Sequence, residues 1–463
     1  MNFPDDTIAA ISTPRGEGGI GIIRVSGKEA VPIADRIFIS QKQRPLSVKD
    51  SHYIAYGFIK DPSTYEKIDE VLLTVMKAPK TYTREDVVEI NCHGGLLPLR
   101  RILGVLISQG ARPAEPGEFT RRAFLNGRID LSQAEAVIDV IRATTEQAER
   151  MAMLQLEGRL SEEIMSLRDT VADACALVEA YIDFPDEEVQ APDKAGFMTS
   201  MKDIEGRLST MSSSFDEGRL FREGAAMAIV GKPNVGKSSL LNTLLKKDRA
   251  IVTDLPGTTR DVIEEGLNIE GIPVRIMDTA GIREAHDLAE AEGVKRSLAA
   301  IEGADIVLAV YDASRVLDAA DWQIIRKVKG KRAISVFNKW DIRNAEFDEG
   351  KEDLNEYPTV RISALRGEGI DDLKKLVVNA LISGQSIVDG TAVLLITNAR
   401  HKQLVDGALA SANKARATFE KGEPLEVTAL FLREALNSLG EIIGVVTTDD
   451  ILDRIFSEFC IGK

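Results

Sequence analysis

Cysteine is scarce: the 463 residues contain three, Cys92, Cys175 and Cys460. They are too widely spaced for a C-x-x-C zinc site, and a disulfide framework is not expected. The four histidines, His52, His93, His286 and His401, are equally scattered, so no metal cluster held by protein side chains is expected. No stretch approaches the ~20 consecutive apolar residues of a spanning helix. The start, Met1 to Asp6, lacks the basic and apolar regions of a signal peptide, so a cytoplasmic protein with no membrane partner is expected. An excess of basic charge is also missing. Lys and Arg number 58 against 73 Asp and Glu, a net charge of −15, which argues against nonspecific coating of nucleic acid. Local basic surfaces stay open, with Arg100-Arg101 and Arg121-Arg122 as candidates, although such pairs are more often solvated helix faces.

The 44% hydrophobic and 28% charged fractions are those of ordinary globular protein, and the length suggests about three domains. Gly231-Lys232-Pro233-Asn234-Val235-Gly236-Lys237-Ser238 fits the phosphate-loop pattern G-x-x-x-x-G-K-[ST]. It follows the apolar run Ala226 to Val230, the strand-then-helix context that gives the pattern meaning. Backbone N–H groups of the loop and of the following turn, Ser239 included, face phosphates. Lys237 reaches the β/γ oxygens, and the Ser238 hydroxyl can ligate Mg²⁺.

Guanine is the base that the remaining motifs select. Asn338-Lys339-Trp340-Asp341 follows the apolar run Ala333 to Phe337. A carboxylate at Asp341 accepts both N–H donors of the guanine Watson–Crick edge, and adenine offers no matching pair. Asn338 would hold the loop, the Lys339 stem would cover one face of the base, and Ser363-Ala364-Leu365 would close over it. In Asp278-Thr279-Ala280-Gly281, Asp278 can hold a Mg²⁺ water and the Gly281 N–H can meet the γ-phosphate. Thr258-Thr259 supplies a switch threonine. Five elements in this order over one domain length define a GTP site.

The first 120 residues alternate short β-rich runs (Thr7 to Ile11, Gly19 to Val25, Val71 to Val75, Val87 to Ile90) with turns, and one helix is predicted over Leu96 to Ser108. This reads as an α+β domain. Leu160, Ile164, Leu167, Val171, Ala174 and Val178 then form a helical stripe of bundle-core type, with the helix ending before Asp183 and Pro185. A second stripe, Val427, Leu430, Phe431, Ala435, Leu436 and Leu439, lies beyond the GTPase, and Thr447 is the predicted cap of a last helix. Each flank alone would leave an apolar stripe uncovered, so one helical domain interrupted by the GTPase is expected. The boundaries are 1–120 for the α+β domain, 121–221 and 383–463 for the two helical parts, and 222–382 for the inserted α/β GTPase.

Outside the GTPase the chain resembles the MnmE (TrmE) family of tRNA-modification GTPases. The resemblance is carried by Asp6 to Ala10, Gly19 to Gly27, Asp86 to Gly95, Pro116 to Thr120, Arg122 to Gly127 and the ending Phe459-Cys460-Ile461-Gly462-Lys463. It implies a homodimer that binds 5,10-methylene- or 5-formyl-tetrahydrofolate through the N-terminal domains. It also implies a heterotetramer or larger complex with the FAD-containing partner MnmG (GidA), which installs an aminomethyl or carboxymethylaminomethyl group at C5 of a tRNA wobble uridine. Folate would supply the carbon and flavin the redox chemistry. Implied folate contacts are Arg24, Glu89, Arg128 and Lys463, and the resemblance favours a reactive role for Cys460. Arg84 stands where the family motif usually has glycine.

Ile282 occupies the position at which a Ras-type enzyme carries its water-orienting glutamine. The resemblance implies K⁺ beside the phosphates instead, held by Asn234 and by oxygens of the switch segment Thr253-Asp254-Leu255-Pro256-Gly257-Thr258, with Thr253, Leu255 and Thr258 as ligands. Ser238 and Thr259 would serve Mg²⁺. Glu290 maps to the water-orienting acid, with Glu292 as a near neighbour of the same type. Lys237, Thr259, Glu290 and Cys460 are the expected catalytic residues. A ribosome-assembly or signalling switch with an N-terminal interaction module is the alternative reading.

Overall fold

The computed structural model describes residues 6–14, 16–40, 45–46, 50–183, 194–248, 266–277, 300–347, 356–382 and 396–463. The chain divides into two compact units, Met1–Ile138 with Ile443–Lys463, and Asp139–Ile442.

The first unit is built on a seven-stranded sheet in the order β3-β4-β5-β6-β2-β1-β7, comprising β1 (Ile8–Ile11), β2 (Gly18–Ser26), β3 (Phe38–Ser40), β4 (Tyr53–Lys60), β5 (Lys67–Met76), β6 (Val87–Gly94) and β7 (Arg112–Pro113). Neighbours are antiparallel except β1 and β7. Period-2 alternation buries Ile23, Val25, Leu73, Val75, Val88 and Ile90 against helices Ala30–Ile37 and Leu96–Ser108. Arg24 and Glu89 alternate to the other face. The helix predicted over Leu96 to Ser108 forms with those limits. Helix Asp449–Ser457 joins the same unit, packing Leu452 and Phe456 on Leu131, Ala134 and Ile138.

The second unit combines helices with a six-stranded sheet in the order β13-β12-β11-β8-β10-β9. Its strands are β8 (Ala225–Val230), β9 (Gly266–Ile269), β10 (Ile272–Met277), β11 (Ile306–Asp312), β12 (Ala333–Asn338) and β13 (Thr359–Arg361). All pairs are parallel except β9 and β10. Strands β8, β11 and β12 are buried along their whole length, as in a sheet covered on both faces. The segments before and after this sheet pack on each other: helix Lys194–Ser213 meets helix Ala399–Lys421 through Phe197 and Phe419, with ring centroids 4.1 Å apart, and Glu205 pairs with Arg416 at 2.7 Å. The chain is therefore a helical domain interrupted by an α/β GTPase domain, preceded by an α+β domain.

The stripe from Leu160 to Val178 is buried within helix Arg159–Asp183, which runs through Asp183 rather than ending before it. Two further helical details differ from expectation. In helix Leu425–Ile443 the buried face is Thr428, Ala429, Leu432, Ala435, Leu439 and Ile442, while Leu430 is 53% exposed. Ala435 and Leu439 of the predicted stripe are buried, but the face is rotated toward Leu432 and Ile442, leaving Val427, Phe431 and Leu436 half-buried at its margin. The last helix is capped by Thr448, whose hydroxyl accepts from the Ile451 N–H, and not by Thr447.

Candidate nucleotide and folate sites

Strand β8 delivers the chain into the phosphate loop, whose backbone only glycine tolerates at two points. Gly231 has φ 155°, and a Cβ there would stand 2.5 Å from the Val310 carbonyl oxygen. Gly236 has φ 99°, and its Cβ would lie 2.1 Å from Asn338 Nδ2. Asn234 also takes a left-handed conformation, φ 64°, at an exposed position. Val235 is fully buried and anchors the loop. Helix Lys237–Asp248 then begins, with Ser238 and Ser239 exposed in its first turn. The N-terminus of such a helix suits an anion.

Lys237 Nζ lies 2.8 Å from the Gly231 carbonyl oxygen and 2.9 Å from that of Lys232. Burial pushes its ammonium below the usual lysine range, and among the described residues no carboxylate pairs with it. A desolvated cation in this position fits triphosphate oxygens, which would restore its preference for the charged form.

The base loop is bonded to the phosphate loop. Asn338, 2% exposed at the end of β12, donates from Nδ2 to the Val235 carbonyl at 2.8 Å and accepts the Ala364 N–H on Oδ1 at 3.0 Å. One side chain thereby spans three of the predicted motifs. Lys339 has φ 61° and reaches Asp312 Oδ2 at 2.7 Å. Burial raises the Asp312 carboxyl, but hydrogen bonds from Lys339 and Ser314 outweigh it and hold the group below the usual range. Trp340 is braced by the guanidinium groups of Arg343 and Arg361, 4.7 and 5.0 Å from its ring. The Asp341 carboxylate is 3.2 Å from Arg366 Nε. Ser363 and Ala364 are buried, Leu365 is 88% exposed, and the Ala364 carbonyl accepts from Thr243 at 2.8 Å.

The remaining predicted residues of this site lie outside the described residues: Thr253 to Thr259, Asp278, Thr279, Ala280, Gly281 and Glu290, with its neighbour Glu292. Asp312 and Lys232 were not singled out in the sequence. The Asp-Ala-Ser that ends the apolar run of β11 was the available signal for Asp312.

In the first unit Arg24 and Glu89 are partners in the β2–β6 register. Arg24 Nε and Nη2 both reach Glu89 Oε1, at 2.8 and 2.7 Å, leaving Oε2 to accept from the amide and amino edge of a pterin. The Arg24 and Arg128 guanidinium groups lie 5.6 and 4.6 Å from the Tyr82 ring centroid. Tyr82, another residue the sequence did not reveal, is fixed by a 3.0 Å hydrogen bond with Thr120. The C-terminal motif reaches the same unit: Ile461 bridges to Pro116, the Phe119 N–H donates to the Lys463 main-chain oxygen at 3.2 Å, and Ser12 Oγ donates to the Gly462 carbonyl at 3.2 Å. Cys460 is exposed. Arg24, Glu89, Arg128, Cys460 and Lys463, up to several hundred residues apart in sequence, thus share one compact unit. The donors and acceptors present fit a folate.

Arg121 and Arg122 do not form a basic surface. Arg122 is 2% exposed and pairs with Asp6, Glu85 and Glu118 at 2.6, 3.0 and 2.9 Å, while Arg121 meets Asp453 at 2.9 Å. Arg101 pairs with Glu66 at 3.1 Å. Arg84, with φ 58°, adopts the conformation a glycine would favour and donates to the Asn126 carbonyl at 2.9 Å.

A phosphate loop and a guanine loop, joined by Asn338 at the carboxyl ends of parallel strands, define a P-loop GTPase. The MnmE helical domain family matches residues 131–460, and the family described as GTP-binding protein TrmE N-terminus matches residues 7–128. The tRNA modification GTPase MnmE of Geobacter metallireducens is 49% identical over 461 residues, covering 100% of both chains, and that of Geobacillus kaustophilus is 46% identical over 460 residues, covering 99% of both. A solved structure of Aquifex aeolicus Era bound to GDP and AlF4⁻ is 25% identical, with a TM-score of 0.25, covering 40% of this chain and 66% of that one. The chain belongs to the tRNA modification GTPase MnmE family. Among the described residues no helix is long and apolar enough to cross a membrane.

Proposed function

We propose that this GTPase acts, as a homodimer with a flavoprotein of the MnmG (GidA) type, to modify C5 of the wobble uridine of certain tRNAs in the cytoplasm. The residues 1–120 domain dimerises and binds 5,10-methylene- or 5-formyl-tetrahydrofolate. Parts 121–221 and 383–463 form the helical domain, and 222–382 hydrolyses GTP. Bound folate supplies a one-carbon unit, and FAD on the partner supplies redox chemistry. Glu89 reads the pterin edge, while Arg24, Arg128 and Lys463 suit the anionic tail of the cofactor. Cys460, in the same compact unit, is the nucleophile of this site.

In the GTPase, Lys237 and the N–H groups of Asn234 to Ser239 hold the phosphates, Ser238 and Thr259 serve Mg²⁺, and Asp341 fixes the guanine. Glu290 orients the attacking water. K⁺, held by Asn234 with Thr253, Leu255 and Thr258, supplies positive charge to the developing phosphoryl oxygens. Ile282 in the usual glutamine position supports a requirement for such an ion.

The observation that carries this reading is the location of Cys460 and Lys463 in the unit that contains Arg24, Glu89 and Arg128. Calorimetry with 5-formyl-tetrahydrofolate on the full-length protein tests it. Binding that disappears in an Arg24→Ala, Glu89→Ala double variant is expected; undiminished affinity in that variant removes the assignment. Cys460→Ser should retain GTP turnover and lose tRNA modification, and retained modification would remove Cys460 from the chemistry.

A further inference from the structure

Three cations and three carboxylates form a continuous chain of ion pairs beside the nucleotide loops. Lys232, the second residue of the phosphate loop, pairs with Asp318 and stands 3.6 Å from Asp321 Oδ2. Arg315 touches all three acids. Its Nη1 is 3.2 Å from Asp318 Oδ2 and 3.4 Å from Asp321 Oδ2, its Nη2 is 3.4 Å from Asp321 Oδ1, and its Nε is 3.9 Å from Asp312 Oδ2. Asp312 Oδ2 then meets Lys339 Nζ at 2.7 Å. The sequence of contacts runs Lys232, Asp318 with Asp321, Arg315, Asp312, Lys339. It begins in the phosphate loop and ends in the guanine loop.

Two of the acids are dry: Asp321 is fully buried and the Asp312 side chain is 8% exposed, while that of Asp318 is 52% exposed, so the contacts to Asp312 and Asp321 are less screened than an ordinary surface pair. Asp318 caps helix Ala319–Lys327 and completes a capping box with Asp321. Asp312 Oδ1 accepts from the Ser314 N–H at 2.9 Å and from its hydroxyl at 2.6 Å. Against anchored acids, Arg315 is the member that spans the interval, and a planar fork with five donors serves three carboxylates as no lysine can. Movement of Lys232 is felt at the phosphates, because its carbonyl oxygen accepts from Lys237 Nζ at 2.9 Å.

We propose that Arg315 is a positioning residue that joins the phosphate loop to the guanine loop, so that the grip on the base and the grip on the phosphates loosen together. The joint acts alongside the Asn338 amide and touches the loops through Lys232 and Lys339. Severing either end then weakens the same device. Substitutions at the two ends should be strongly non-additive, and their coupling should depend on Arg315.

Release of a fluorescent GDP analogue from the full-length protein, measured by stopped flow, tests the joint. Lys232→Met and Asp312→Asn should each speed release by about 10-fold, and the double variant should release no more than about twice as fast as either single one. Arg315→Gln should reach the same rate by itself, and Arg315→Lys, which keeps the charge without the fork, should resemble it. A general loss of stability would lower the melting temperature yet leave the two end substitutions multiplicative. A double variant whose rate is the product of the single effects overturns the proposal, as does wild-type release from Arg315→Gln. If Asp312→Asn does not fold, Arg315→Lys decides alone, and a wild-type release rate in it overturns the joint.

Discussion

Gly462 lies against Ile11 so closely that a Cβ on it would stand 2.5 Å from the Ile11 carbonyl oxygen, and its φ of 97° is one that residues with side chains avoid. The contact holds Gly462 against the end of β1, between the bonds that Ile461 and Lys463 make to Pro116 and Phe119. Gly462→Ala should therefore displace Ile461 and Lys463, with strain of about 1–3 kcal/mol. Folate affinity should fall with little change in GTP turnover, as read by calorimetry and phosphate release on one preparation. Unchanged folate affinity would detach the C-terminal segment from the folate site.

Gly236 faces the base loop in the same manner, with Asn338 Nδ2 2.1 Å from where its Cβ would be. Gly236→Ala should push apart the two loops that Asn338 ties together. Backbone strain of about 1–3 kcal/mol at such a site corresponds to roughly 5- to 150-fold in affinity. Equilibrium titration with GDP and GTP should show that loss for both nucleotides.

Much of the GTPase was legible because each motif is local: a phosphate loop after an apolar strand needs about a dozen contiguous residues, and β8 and β12 form where the apolar runs end in Gly231 and Asn338. Long-range partners were not legible. Arg122 reads as half of a basic pair, yet its acids Asp6 and Glu85 come from 116 and 37 residues away. Ordinary side chains hid other features. The buried face of helix Leu425–Ile443 was placed only in part: Ala435 and Leu439 are buried as expected, while Leu432 and Ile442 are buried in place of Leu430. Arg84 holds a glycine-like backbone through its bond to the Asn126 carbonyl, so the motif departure leaves the turn intact.

The Arg122 cluster gives the first unit an acid-sensitive element. Burial raises the Asp6 and Glu118 carboxyls, but bonds from Arg112 and Arg122 outweigh it and hold both below their usual values of 3.8 and 4.5. Depressed folded-state values mean that the stabilisation is complete above those unfolded values and is lost as pH falls through the lower folded ones. Arg122→Met leaves Asp6 and Glu118 with Arg112 alone and takes from Glu85 its arginine, and should cost about 3 kcal/mol at neutral pH. Denaturant unfolding should show the gap between variant and wild type narrowing below about pH 4; a gap independent of pH would dissociate the cluster from acid stability.

The coupling of GTP hydrolysis to tRNA chemistry is the centre of the account, and mass spectrometry of tRNA nucleosides tests it most directly. In a strain deleted for this gene, C5-aminomethyl-type wobble uridines should vanish; the wild-type chain should restore them, and a Glu290→Ala chain at equal level should not. An unchanged nucleoside profile in the deleted strain, with ribosomal intermediates accumulating instead, would contradict it.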